Sequence, residues 1–246
     1  MTEHRTANAN EWQAERDALL NEEKQLTRRA DELAEKRREL PWVQIEKEYV
    51  LQTEHGPKSL AELFDGRSQL MIYHFMFGPP YETGCPVCSS IADTLDPQVA
   101  HLKARDTTLM LVSRAPLEKL EKFRRRMGWP VKWVSSQGSD FNFDFHVSFT
   151  EAELAKGEAV YNYANAKIGI DEMPGISIFY KDDAGDVFHT YSAFARGTEI
   201  FAGIFGLLDV MPKGRNETIN GNLTDWVRHH DRYDAAPAAC CHQEKP

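Results

Sequence analysis

No apolar run in this chain reaches the roughly 18 residues that a membrane-spanning helix needs, so nothing in it reads as a transmembrane segment. The first forty residues are polar and carry no signal-peptide core, which sets the expectation of a cytoplasmic protein. Positive charge is also in deficit. A formal net charge of −9 over 246 residues argues against nucleic acid or an anionic membrane as partner, and the Arg124-Arg125-Arg126 triplet reads as the wet face of a helix. Cysteine is scarce. Cys85, Cys88, Cys240 and Cys241 are too few for a disulfide scaffold, and in a reducing compartment a C-x-x-C pair is catalytic or metal-binding rather than a staple. There is no G-x-x-x-x-G-K-[ST], no G-x-G-x-x-G and no G-x-S-x-G. Nucleotide use and serine hydrolase chemistry therefore have no support, and no cofactor is expected.

What is present is concentrated between Gln69 and Ala92. The apolar run Leu70 to Phe77 predicts a buried strand, Gly78, Pro79, Pro80 and Gly84 predict a turn, and Cys85-Pro86-Val87-Cys88 leads into a helix toward Leu95. That order puts Cys85 at a helix N-terminus, where unpaired backbone N–H groups and the positive end of the macrodipole favour an anion. A thiolate is such an anion, and in this setting a cysteine pKa falls from about 8.5 to roughly 3.5–7.5. Pro86 suits the first helical position, where its missing N–H costs nothing.

The rest of the chain supplies an α/β frame. Residues 1–40 form a charged amphipathic helix with Trp12, Leu19, Leu26, Leu33 and Leu40 every seven residues. The companion seam position holds Arg16, Glu23, Ala30 and Arg37, which argues against a long autonomous coiled coil. The helix either lies on its own domain or docks in a homodimer. Tyr49 to Gln52, Thr107 to Ser113 and Val131 to Val134 predict strands, Pro116 to Met127 a helix, and Ser59 with Glu62 a capping box. Phe141, Phe143, Phe145, Tyr161 and Tyr163 mark residues 138–169 as an insertion that packs on the core or walls the cysteines. Met173-Pro174 before Ile176 to Tyr180 predicts a cis-proline leading into a strand, with a hairpin to Val187–Tyr191 and a helix over Glu199 to Asp209. Residues 41–212 thus form the domain, and 213–246 a polar tail ending in Cys240-Cys241-His242.

Cys-Pro-Val-Cys after a buried strand, then βαβ, then Met173-Pro174 before a hairpin and helix, resembles the thioredoxin fold. YHFMFGPPYETGCPVCS, VSRAPLEKLEKFRRRMGWPVKWVSSQGSDFNFDF and FHTYSAFARG resemble a family of uncharacterised, mostly bacterial, thioredoxin-like proteins described as predicted dithiol–disulfide oxidoreductases. The resemblance implies that Cys85 is the attacking thiol, Cys88 the resolving thiol, and Met173 and Pro174 the substrate-binding residues facing them. The partner would be a protein or small-molecule disulfide or thiol. Tyr73 and His74 stand where thioredoxins often keep a buried acid, so the internal base is unassigned.

Two other readings stay open. The order of elements, SLAELFDG before the central strand and Arg196 late in the domain also resemble a peroxiredoxin-type peroxidase, although Glu82 stands where that family has Thr or Ser and Thr83 is one residue off. A zinc-binding or interaction protein without turnover is the third reading, with His229, His230, Cys240, Cys241 and His242 as further ligands. The other histidines read as structural, with His74 a hydrogen-bonded core residue.

Overall fold

The computed structural model describes residues 4–217 and 224–233. The chain divides into two compact units, Met1–Pro41 and Trp42–Pro246. The first is helix α1 (Ala9–Arg38), opened by a capping box in which Asn8 accepts from the Glu11 N–H while Glu11 reaches back to the Asn8 N–H. None of the described helices is long and apolar enough to cross a membrane.

The second unit is built on an eight-stranded sheet. In chain order its strands are β1 (Val43–Gln44), β2 (Val50–Thr53), β3 (Gly56–Ser59), β4 (Gln69–His74), β5 (Thr107–Ser113) and β6 (Lys132–Ser135). A separate small ribbon follows, β7 (Val160–Tyr161) with β8 (Ala164–Asn165), and then β9 (Gly175–Lys181) and β10 (Val187–Phe194) complete the main sheet. The spatial order is β1-β10-β9-β4-β5-β6-β2-β3, with β4, β5 and β6 parallel and β9 antiparallel to β4. A βαβ unit beside a ββα unit, in the order β10-β9-β4-β5, is the thioredoxin-like arrangement that the sequence leads one to expect.

Central strands buried on both faces must be apolar throughout, which is why β4 and β5 read as unbroken apolar runs. Alternation then divides their side chains. Met71, Tyr73, Leu109 and Leu111 face one core with Cys88, Ile91 and Leu95 of α2 (Pro86–Leu95). The same core takes Leu120, Phe123 and Met127, at helical spacing, from the later helix Leu117–Met127. Leu70, Ile72, Met110 and Val112 face the opposite core with Leu63, Phe64, Phe141 and Phe145. The intervening helix α3 (Val99–Ala104) precedes β5, and Leu117–Met127 is α4, stopped by Gly128 at φ +69, a left-handed conformation that glycine adopts without a Cβ penalty. Two short helices, α5 (Phe141–Asp144) and α6 (Glu151–Lys156), fill the insertion, and α7 (Gly203–Asp209) closes the domain.

Several local expectations are refined. Ser59 and Glu62 do exchange capping hydrogen bonds, but what they cap is a 3-10 turn, Ala61–Phe64. The predicted helix over Glu199 to Asp209 is split into a 3-10 segment, Ala195–Phe201, and α7, because Ala202 leaves helical geometry at φ −103, ψ 77. The aromatics of the insertion go mainly to the core: Phe141 and Phe145 pack with Tyr49, His74 and Phe179 on the face away from the cysteines.

Candidate functional site

Beyond β4 the chain stays in register. Phe75 donates to Val112 O and Ala115 donates to Phe77 O, at 2.9 and 2.8 Å, carrying the strand direction past its end. The two prolines turn it, and Cys85 N–H returns to Met76 O at 3.1 Å, which seats Cys85 at the carboxyl end of the parallel strands. In open α/β sheets that end is where ligands are bound. Gly84 makes the return possible, since a Cβ there would lie 2.7 Å from Cε1 of the buried Phe75 ring. Gly84→Ala should therefore cost about 1–3 kcal/mol, as overpacking does. Urea unfolding measures it, and a midpoint equal to wild type would show that the loop does not depend on this close approach.

Cys85 is the N-cap of α2, with Pro86 as the first helical residue, as the spacing predicts. The helix starts here because Pro86 fixes φ and Cys85 O receives Ser89 N–H and the Ser89 hydroxyl, both at 2.9 Å. Cys85 is half-buried, Cys88 is 1% exposed, and both are free thiols. Their environments push them apart. The Cys88 thiol, facing the Cys85 sulfur, is the main reason that Cys85 is held below the usual thiol range. Burial opposes this, while the Cys88 and Val87 N–H groups of the first turn support it as long electrostatic contacts rather than a closed cap bond. Burial, followed by the neighbouring Cys85, drives Cys88 well above that range. Tyr73 lies beneath the pair, its buried hydroxyl making no hydrogen bond of proper geometry, and burial together with Cys88 raises its own pKa.

A charged cluster flanks the cysteines. Arg114, just past β5, gives Nε to Glu172 Oε1 and Nη2 to Asp171 Oδ2, each at 2.7 Å, and its guanidinium lies 5.1 Å from the Phe143 ring centroid. The Tyr81 hydroxyl donates to the other Asp171 oxygen. The Glu172 side chain is 3% exposed, and its Oε2 has no hydrogen-bond partner. Burial raises its pKa to about 7 against the pull of Arg114, and its charge in turn raises the Cys85 thiol. Gly78 leaves room for it: a Cβ there would stand 3.1 Å from Glu172 Oε1.

The described C-terminal segment braces the same loop. His229 is buried and bonded through Nε2 to Gly84 O at 2.8 Å, and through Nδ1 to Arg126 Nη2 at 3.1 Å. Arginine only donates, so Nδ1 accepts and Nε2 carries the hydrogen given to Gly84. Arg126 also grips Asp231, and His230 meets Asp93 on α2 at 2.7 Å. Arg126 is thus more than wet surface.

Residues 1–233 match the family described as "Bacterial protein of unknown function (DUF899)". The chain belongs to that family. No curated protein matches it in sequence. Among solved structures it is similar to a peroxidoxin, BcpB, from Mycobacterium tuberculosis (TM-score 0.46, 12% identity, 67% of this chain and 94% of that one). It is also similar to a mutant of Xanthomonas campestris peroxiredoxin Q (0.44, 13%, 64% and 90%). A third is a yeast mitochondrial 1-Cys peroxiredoxin (0.39, 16%, 74% and 82%).

In this member of the family Cys85 and Cys88 both lie at the start of α2, Cys85 as its N-cap and Cys88 in its first turn. Pro174 precedes Gly175, which pairs with His74, so it sits at the same end of the sheet as the cysteine loop. The expectation of a cis-proline is corrected: among the described residues no peptide bond is cis, and Met173–Pro174 is trans. The chain arrives there extended and already paired, through a Ser148–Glu172 bridge and Met173 N–H to Val147 O at 2.9 Å, so no tight turn calls for the costlier isomer. His74 is a core residue, bonded to Ser177 Oγ at 2.9 Å, and Arg196 makes an exposed ion pair with Glu199. No group of three metal-binding side chains occurs among the described residues, and Cys240, Cys241 and His242 lie outside them. Sequence reading missed Glu172 and Arg114, and it named His229 only as a metal ligand, whereas here it braces Gly84. The only signal was an acid pair, Asp171-Glu172, directly before Met173-Pro174.

Proposed function

We propose that this chain is a dithiol–disulfide oxidoreductase. The Cys85 thiolate attacks a substrate disulfide, forming a mixed disulfide, and the Cys88 thiol displaces it, leaving Cys85–Cys88 oxidised and the substrate reduced. One observation carries the reading: two free thiols at one helix N-terminus, Cys85 as the half-buried N-cap and Cys88 buried in the first turn, the former lowered and the latter raised in pKa. That is the division of labour the reaction needs. The attacking sulfur must be ionised near neutral pH and reachable, and the resolving sulfur must be protonated and shielded until the first bond has formed. Met173 and Pro174, both half-buried, are assigned apolar contact with the substrate, because Met173 N–H is given to Val147 O and Pro174 O receives the Tyr161 hydroxyl. The partner is a protein or small-molecule disulfide, and the compartment is the cytoplasm.

Site-resolved alkylation with iodoacetamide tests the pair. Cys85 should react at pH 6–7 with Cys88 untouched in the folded protein. Half-maximal reactivity near the ordinary thiol value of about 8.5 would contradict the reading. Thiol-dependent consumption of hydroperoxide, with no exchange on disulfides, would replace it by the peroxidase.

A further inference from the structure

Helix α1 runs for 30 residues and buries none of them. Its large apolar side chains are ordered all the same. Trp12, Leu19, Leu26 and Leu33 recur every seven residues, two helical turns apart, so they form one stripe, and all four are exposed. The companion row beside the stripe is Arg16, Glu23, Ala30 and Arg37, and Arg16 bridges two turns to Glu23 at 2.7 Å, which puts those two charges on one face already paired.

The charges decide what fits this surface. In a parallel pair of identical helices each seam residue meets its own copy, so Arg16, Glu23 and Arg37 would each face a like charge. An antiparallel pair avoids this, because the apolar stripe of one helix then alternates with the companion row of the other. With Leu26 level with Glu23 of the second copy, Leu33 falls level with Arg16 and Leu19 with Ala30. Trp12 falls level with Arg37, and an arginine over an indole face is a favourable contact.

In that register the row flanking the seam, Glu15, Glu22, Arg29 and Lys36, faces its own copy reversed. Glu15 meets Lys36 and Glu22 meets Arg29, each twice by symmetry, so every contact joins opposite charges. A slip of one heptad sets Glu22 against Glu22, or Arg29 against Arg29 when made the other way. The row on the other side of the seam, Gln13, Leu20, Thr27 and Ala34, is uncharged and opposes nothing. Within one chain Glu15 pairs with Arg5 and Arg29 with Glu32, but both pairs are exposed, and exposed pairs are worth so little that exchanging them is easy.

We propose that α1 docks antiparallel on α1 of a second copy of this chain, in the register that brings Glu15 to Lys36 and Glu22 to Arg29. The interface is isologous, the same patch being used by both copies. The polar companion row makes it weaker than a fully apolar seam while fixing its direction. The inference is independent of the oxidoreductase reading.

Sedimentation equilibrium of the full chain, under a reductant that removes disulfide-linked species, tests it. Wild type should approach twice the 28.1 kDa chain mass as concentration rises. Arg29→Glu with Lys36→Glu sets glutamate against glutamate at all four contacts and should weaken association about 10-fold or more. Adding Glu15→Lys and Glu22→Lys to that chain restores opposite charges everywhere and should return the dissociation constant to that of wild type. A wild type that stays monomeric overturns the proposal, since the stripe is then covered by something else. A dimer indifferent to the first pair of changes, or not recovered by the second, overturns it too. If circular dichroism shows that the fully reversed chain loses helix, an equimolar mixture of Arg29→Glu/Lys36→Glu with Glu15→Lys/Glu22→Lys decides instead. Dimer in the mixture but in neither variant alone supports the pairing, and monomer in the mixture refutes it.

Discussion

Cys88→Ser is expected to stop turnover and to leave Cys85 covalently joined to its substrate. The first step needs only Cys85 as nucleophile; in the variant it keeps its N-cap position and the N–H groups of α2, and the serine hydroxyl takes over as the donor facing it in place of the Cys88 thiol. The second step needs a thiol beneath it, and Cys88 at 1% exposure is placed where no outside thiol of ordinary size follows the same path. Well-oriented intramolecular reactions reach effective molarities of about 10⁵–10⁸ M, so a millimolar external thiol falls short by far more than about 10³-fold. Serine supplies no comparable nucleophile at neutral pH. Intact-mass analysis after incubation with a disulfide should show one adduct, mapped to Cys85, and turnover down by about 10³-fold or more. Cys85→Ser should show neither adduct nor turnover. Equal adduct yields on both variants would mean that the two sulfurs do not divide the work.

Arg114→Ala is expected to destabilise the fold in a pH-dependent way. Arg114 is the counter-charge of Glu172 and Asp171, and removing one partner of a buried ion pair costs about 3–5 kcal/mol because the other charge is left uncompensated. The sign with pH follows from Glu172. Its folded pKa of about 7 lies above the ordinary glutamate value of 4.5, so its contribution is complete below pH 4.5 and is lost as pH rises through 7. At 1.36 kcal/mol per unit, that loss amounts to about 3 kcal/mol in wild type between pH 4.5 and 8. Without Arg114 the carboxyl is harder to ionise still, so the variant should be closest to wild type near pH 5 and weakest near pH 8. Urea unfolding at both values measures it; a pH-independent deficit, or one under 1 kcal/mol at pH 8, would show that the carboxyl escapes to water.

The frame was legible where one local rule decides. The apolar runs of β4 and β5 are the mark of strands buried on both faces, and Gly-Cys-Pro before a helical stretch places the N-cap without any tertiary knowledge. The split of the last helix at Ala202 was not legible, because nothing in Phe201-Ala202-Gly203 forbids a helix and Ala202 is buried by its neighbours. Glu172 and Arg114 were hidden for a different reason. They are 58 residues apart and meet only because β5 and the segment before β9 end on the same side of the sheet. The same holds for His229 and Gly84, 145 residues apart. The proline prediction failed because it used the sequence before a strand as a proxy for geometry, whereas the Ser148–Glu172 pairing had already set the direction of the chain.

The claim on which the function stands is that Cys85 and Cys88 interconvert between dithiol and disulfide as one unit. Equilibrating the protein in thiol buffers of defined potential, quenching with an alkylating agent and mapping the linkage by mass tests it directly. The expected result is one two-electron transition, with Cys85 and Cys88 lost together to a single intramolecular disulfide, at a potential to be set against the cytosolic poise of roughly −220 to −320 mV. Thiols that remain separately alkylable across that range, or that oxidise only to mixed disulfides with the buffer, would contradict it.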